Sequence, residues 1–77
     1  MIIKMIIKSK FTGKEYNTKD VCRIVNTLQL ASYLEYGITL LDIYTSRNYE
    51  TGKPILVGIV DKKESYEAYK LWCEHKL

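Results

Sequence analysis

The sequence predicts a small α+β domain: an antiparallel sheet of three to four strands, in the order β-β-α-β-β-α, with two amphipathic helices on one face. Three observations predict it. Residues 25–38 carry matched start and stop signals of one short helix. Asp61-Lys62-Lys63-Glu64 has the spacing of a capping box and opens a second, amphipathic helix. Between them, two strand-like runs flank the turn residues Asn48 to Lys53, which reads as a β-hairpin.

Taken in order, Ile2 to Phe11 is rich in β-branched residues and reads as a strand, with Lys4 and Lys8 on the same side as Ile2 and Ile6. Thr12-Gly13-Lys14 signals a turn. Val21 to Val25 reads as a second strand, so residues 1–11 and 16–25 are expected to pair as a hairpin. Asn26 then stands as N-cap, with Gln29 placed to close a capping box and Val25 and Leu30 at the positions of a hydrophobic staple. The helix runs over about residues 27–36 and gathers Leu30, Ala31 and Leu34 on one face, flanked by Gln29, Tyr33 and Tyr36. Gly37 can take the left-handed conformation that ends a helix, and Ile38 supplies the apolar contact of a Schellman motif.

From Ile38 to Ser46 the residues alternate, Leu41 and Ile43 one way, Leu40, Asp42 and Tyr44 the other. Pro54 to Val60 forms the returning strand, with Pro54 at its beginning where a missing N–H does no harm. The second helix extends to about His75 and collects Ser65, Ala68, Tyr69, Trp72 and Cys73 on one arc, with Tyr66 at its edge and Trp72 central in the core. Lys63, Glu67, Lys70 and Glu74 occupy its other side as i,i+4 pairs.

The 77 residues make one domain, 1–77, in which residues 1–20 form a basic N-terminal strand or extension. A hydrophobic content of 47% against 27% charged residues is a globular balance. The apolar runs fall far short of a membrane span, and Lys4 and Lys8 interrupt any signal-peptide core, so a cytoplasmic protein is expected. Met1–Lys4 and Met5–Lys8 repeat one another, which makes Met5 an alternative start. Cys22 and Cys73 stand far apart without a CxxC pattern and are expected to be reduced. Of the net charge of +3, residues 1–23 hold six cations against two carboxylates, a balance of +4. Residues 24–77 hold six against seven, a balance of −1.

Ile24-Val25-Asn26, Gln29, Ala31, Tyr33-Leu34 and Gly37 are followed by Leu41-Asp42-Ile43-Tyr44, Thr51-Gly52-Lys53, Val60-Asp61-Lys62 and Leu71-Trp72. Over roughly three-quarters of the chain, from about Cys22 onward, this pattern resembles a small uncharacterised domain family of Gram-positive bacteria and their phages. The chain departs from that pattern at Gly58, where an aromatic residue would be usual, and in its longer basic N-terminal segment. The resemblance implies a phage, prophage or mobile-element origin and carries no established activity.

No catalytic, cofactor-binding or metal-binding motif is present in the sequence. His75 is the only histidine and stands two residues from the chain end, and with Cys73 it offers two potential ligands where a zinc site needs three or four. A non-enzyme is expected. The positive signal is the seven tyrosines. Tyr33, Tyr66 and Tyr69 can pack beside Trp72, whereas Tyr36, Tyr44 and Tyr49, with Arg47, are the candidate protein-binding residues.

Two function classes follow. The first is a protein-binding module, for which a mobile-element origin suggests a host protein as partner, including a defence nuclease such as a CRISPR effector. A chain of charge +3 would inhibit such a machine, in anti-CRISPR fashion, by docking rather than by DNA mimicry. The alternative is a nucleic-acid-binding accessory or regulator using Lys4, Lys8, Lys10, Lys14, Lys19 and Arg23, although neither helix is basic enough to serve as a recognition helix. A basic N-terminal strand at a sheet edge could also pair with its twin in a homodimer.

Overall fold

A computed structural model describes residues 5–77. The element order is β1 (Ile6–Lys8), β2 (Glu15–Asn17), β3 (Val21–Ile24), α1 (Thr27–Tyr36), β4 (Leu40–Arg47), β5 (Pro54–Asp61) and α2 (Tyr66–Cys73). The fold is α+β, in three layers. A three-stranded antiparallel sheet, β3-β5-β4, lies between the two helices on one face and the two-stranded β1–β2 ladder on the other.

The N-terminal third differs from expectation. Residues 16–25 do not form one strand against the described part of residues 1–11. β1 pairs with β2 alone, Ile7 opposite Tyr16, while β3 pairs with β5, Arg23 opposite Ile59. The cause is a turn between them: the Asn17 side chain accepts from the Lys19 amide at 3.0 Å, and its carbonyl accepts from the Asp20 amide at 2.9 Å. Such an Asx turn reverses the chain locally. The strand expected over Ile2–Phe11 is described only as Ile6–Lys8, and its first part, with Lys4, lies outside the described residues.

α1 has the expected bounds. The Asn26 side chain accepts from the Gln29 amide at 3.0 Å, Gly37 is left-handed at φ 107°, and Ile38 N–H reaches the Tyr33 carbonyl at 3.0 Å in the Schellman pattern. Its buried face is Leu30 and Tyr33, not Leu30, Ala31 and Leu34; Ala31 and Leu34 are exposed, as is the intended staple residue Val25. Two side-chain facts rotate the helix. Leu30 sits over Gly58 of β5, the one sheet position without a Cβ. Tyr33 is 1% exposed, yet its hydroxyl accepts from Gln29 Nε2 at 2.9 Å, so burial leaves no orphaned polar tip. Gln29 therefore braces Tyr33 instead of closing a capping box.

β4 is interrupted by a bulge between Leu40 and Asp42. The extra residue breaks the expected alternation. Leu40 packs with the helix-side core, Leu41 with the core beneath β1–β2, and Asp42, opposite Ile59, faces that second core. α2 starts later than expected, at Tyr66. Asp61 still accepts from the Glu64 amide at 2.9 Å, but the Glu64 carboxylate turns to Thr39, accepting from its amide at 2.7 Å and its hydroxyl at 3.1 Å. The helix meets the sheet through the small residues Ser65 and Ala68, both buried, while Tyr66, Tyr69 and Cys73 are exposed. Trp72 is accordingly half-buried at the rim of the core and not at its centre. Tyr33 holds the centre. Both cysteines are free, and among the described residues no helix is long and apolar enough to cross a membrane.

Candidate docking surface

The β4–β5 hairpin organises two adjoining surfaces. At its tip, Asn48 builds the turn: its side chain accepts from the amides of Glu50 at 2.8 Å and Thr51 at 3.2 Å, and its carbonyl accepts from Gly52 at 2.8 Å. Gly52 takes φ 71°, a conformation glycine adopts without strain. Arg47 Nη1 donates to the Gly52 carbonyl at 3.1 Å, so part of the guanidinium braces the turn. Tyr49 is fully exposed and none of these bonds involves its ring. Beside the tip lies an open groove of about 520 Å³, lined by Arg23, Val25, Arg47, Tyr49, Glu50 and Ile55 among others. Arg23 reaches it because β3 sits on the far side of β5 and turns Arg23 toward the β1–β2 side of the sheet, beyond the area those strands cover.

The second surface depends on a buried carboxylate. Asp42 is 6% exposed and accepts from the Ser9 hydroxyl at 2.7 Å, the Tyr16 hydroxyl at 2.6 Å and the Ile43 amide at 2.8 Å. Burial pushes its pKa up, but the hydrogen bonds from Tyr16, Ser9 and Ile43 outweigh burial and hold it below 3.8. Tyr16 responds oppositely: burial first, then donation to Asp42 and the nearby negative charge, raise its hydroxyl to about 12. The site is thus a carboxylate and a neutral phenol. Ser9 Oγ also accepts from the amides of Phe11 and Thr12 at 3.1 and 3.0 Å, and Thr12 Oγ1 donates to the Leu41 carbonyl at 2.6 Å. The turn after β1 is clamped against β4 in this way, and Phe11, 77% exposed, is held beside Tyr44.

Of the expected protein-binding residues, Arg47 and Tyr49 meet in the tip groove. Tyr44, 37% exposed, lies further down β4 beside Phe11. Tyr36 ends α1 in the helix layer, on the other side of the sheet, and does not share their surface. Of the cations of the nucleic-acid reading among the described residues, Lys8 and Lys10 share one groove and the others lie elsewhere. Lys8 is opposite Glu15 in the β1–β2 ladder and lines a groove with Lys10, Phe11 and Tyr44. Lys14 is in the turn after β1, Lys19 is in the turn before β3, where its carbonyl accepts from Lys62 Nζ at 3.2 Å, and Arg23 belongs to the tip groove.

Sequence reasoning missed Ser9, Phe11, Tyr16 and Asp42 as a group. One signal was readable: a carboxylate inside the apolar run Leu40 to Tyr44 calls for buried donors. Among the described residues no cluster of three His, Cys, Asp or Glu side chains could hold a metal ion. Comparisons with protein-family models, curated proteins and solved structures find no match to this chain.

Proposed function

We propose that this chain is a non-enzymatic protein-binding module that docks on its partner through the tip of the β4–β5 hairpin. The observation that carries the reading is Tyr49, a fully exposed aromatic ring on a turn whose closure is already accounted for by Asn48, Gly52 and Arg47. A preordered turn loses little entropy on binding, and Tyr and Arg dominate interface hot spots because they bury large area with few rotamers to freeze. Arg23 and Arg47 line the same groove as Tyr49, with one carboxylate, Glu50, and the groove is large enough for one or two partner side chains. The resemblance to a phage- and mobile-element-borne family directs the choice of partner to a host protein, a defence nuclease first. With net charge +3, docking on protein is favoured over imitation of DNA.

The experiment is affinity capture from lysate of a Gram-positive bacterium, with and without nuclease treatment, comparing the parent protein with Tyr49→Ala and Arg23→Ala. The reading expects a protein captured by the parent and reduced about tenfold by either change. Equal capture by all three would refute the tip as the docking surface. Capture that disappears on nuclease treatment would favour nucleic acid instead.

A further inference from the structure

We infer that the free edge of β4 is a strand-addition site for an extended partner segment that alternates apolar and acidic residues. The inference relies on the docking reading for the class of partner, a protein, but uses a different surface.

β4 is an edge strand, since β5 is its one neighbour among the described strands. Which of its backbone groups face outward follows from two bonds. The Ile43 amide donates to the Asp42 carboxylate and the Leu41 carbonyl accepts from Thr12, so neither group points at β5. Backbone groups alternate along a strand. The Ile43 carbonyl, the Thr45 amide and carbonyl, and the Arg47 amide therefore share that outward edge. The upstream half is closed by the bulge and by Thr12; no described strand pairs with the outward side of the downstream half, Ile43 to Arg47. An open groove of about 400 Å³ runs along it, lined by Phe11, Ile43, Tyr44, Thr45 and Leu56.

Natural edges are usually blunted by lysine, proline or inward-pointing charge. Residues 43–46 carry no charged side chain and no proline, and exposed Phe11 and Leu56 border them instead. The opposite edge, β3, is four residues long and carries exposed Arg23 within the strand, whereas the one charged side chain of the Ile43–Arg47 edge, Arg47, stands at its end and donates to the Gly52 carbonyl. The asymmetry favours a paired β4 edge over a protected one.

The side chains around the edge define what pairs. A strand laid beside β4 with one residue opposite Thr45 puts that side chain on the face of Leu56, which is apolar. Its two neighbours emerge on the face of Tyr44, where Lys8 and Lys10 line the adjoining groove with Phe11. Charge complementarity there calls for Glu or Asp. A second copy of this chain is disfavoured by the same charges, because it would bring another Lys8 and Lys10 to the seam.

The test uses the whole protein and a capped heptapeptide, Glu-Val-Glu-Val-Glu-Val-Glu, with a Lys-for-Glu version as control. Amide NMR should show the Thr45 N–H exchanging freely in the unliganded protein and protected when the acidic peptide binds. The lysine peptide should bind at least about tenfold more weakly, as should the acidic peptide to a Lys8→Glu/Lys10→Glu double variant. Thr45→Pro removes the outward amide without touching a ladder bond and should abolish binding. Phe11→Ala, at an exposed position, should weaken it and serves if the proline variant does not fold. Tyr49→Ala should leave peptide binding unchanged, which separates this result from that of the tip. An unprotected Thr45 amide, or equal binding of the two peptides, would overturn the inference. So would a Thr45 amide already protected in a dimer of the free protein, which would make the occupant a second copy.

Discussion

Gly58→Ala is the sharpest test of the helix–sheet packing. A Cβ at position 58 would lie 2.6 Å from both Leu30 methyl carbons and 3.1 Å from its Cγ. Ordinary carbon contacts are about 3.5–4.0 Å, so Leu30 would have to retreat by roughly 1 Å. Leu30 is 5% exposed and belongs to the buried cluster of Tyr33, Ile24 and Val60, which leaves little space for the move. Such overpacking costs about 1–3 kcal/mol, against about 0.5–1 kcal/mol gained by removing glycine from a strand interior. The net destabilisation expected is about 0–2.5 kcal/mol, so the double-variant cycle is the decisive reading. Leu30→Ala alone should cost about 2–5 kcal/mol by leaving a cavity. In the double variant the added methyl enters that cavity, so the combined loss should fall short of the sum by about 1–3 kcal/mol. Urea denaturation of the four proteins, followed by circular dichroism with a shared m-value, measures the cycle. A Gly58→Ala protein as stable as the parent, with additive behaviour in the double variant, would refute the contact. The contact also bears on the family resemblance, because an aromatic residue at position 58 would require α1 to sit further from the sheet.

The buried carboxylate makes a pH prediction with a definite sign. Asp42 has a folded pKa below its ordinary 3.8, so its contribution is fully present above that value and is lost as pH falls through the folded pKa. The stability difference between parent and Asp42→Asn, about 2–4 kcal/mol at neutral pH, should therefore shrink toward pH 2.5 in urea titrations; a constant difference would contradict it. Tyr16, raised to about 12, favours the neutral phenol in the fold, so its contribution should fade between pH 10 and 12, visible as one tyrosine ionising late in an ultraviolet titration. Tyr49→Ala should leave thermal stability within about 0.5 kcal/mol of the parent, whereas Arg47→Ala should lose about 0.5–1.5 kcal/mol with its bond to Gly52, as read by thermal melts. Trp72→Ala, at a half-buried site, should cost about 1.5–3 kcal/mol, less than a fully buried tryptophan, and a complete loss of folding would return Trp72 to the core centre.

What was legible beforehand divides along a physical line. α1 was readable to the residue because Asn26, Gly37 and Ile38 act on neighbours within one turn. The β4–β5 hairpin was readable for the same reason, its turn residues lying between the strands they join. Partner choice was not. Val21 to Ile24 looks equally suited to β1 or β5, and only the Asn17 turn, whose signal is a single side chain, sends it to β5. Which face of α1 is buried turned on a missing Cβ at Gly58, a fact about another element. The alternation of β4 was correct on each side of the bulge and wrong across it. In the site, Tyr49 and Arg47 were visible as exposed residues at a turn, but Arg23 joined them only through the strand order β3-β5-β4.

The central position of β5 has a consequence for synthesis on the ribosome. β1 and β2 leave the tunnel first, yet the groups that fasten them to the sheet arrive later: Asp42 is 33 residues after Ser9 and 26 after Tyr16. Val57 and Ile59, on which they pack, come later still. A two-strand ribbon alone is marginal in water. β3 and β4 also lack a mate until β5 emerges, and α1, ten residues long, has its caps by then but not the Gly58 seat of Leu30. At about 5–20 residues per second, the apolar side chains Ile6, Ile7, Phe11 and Tyr16 stay uncovered for a time on the order of seconds. Their exposure to chaperones and proteases is then set less by their own chemistry than by how promptly residues 54–61 are delivered.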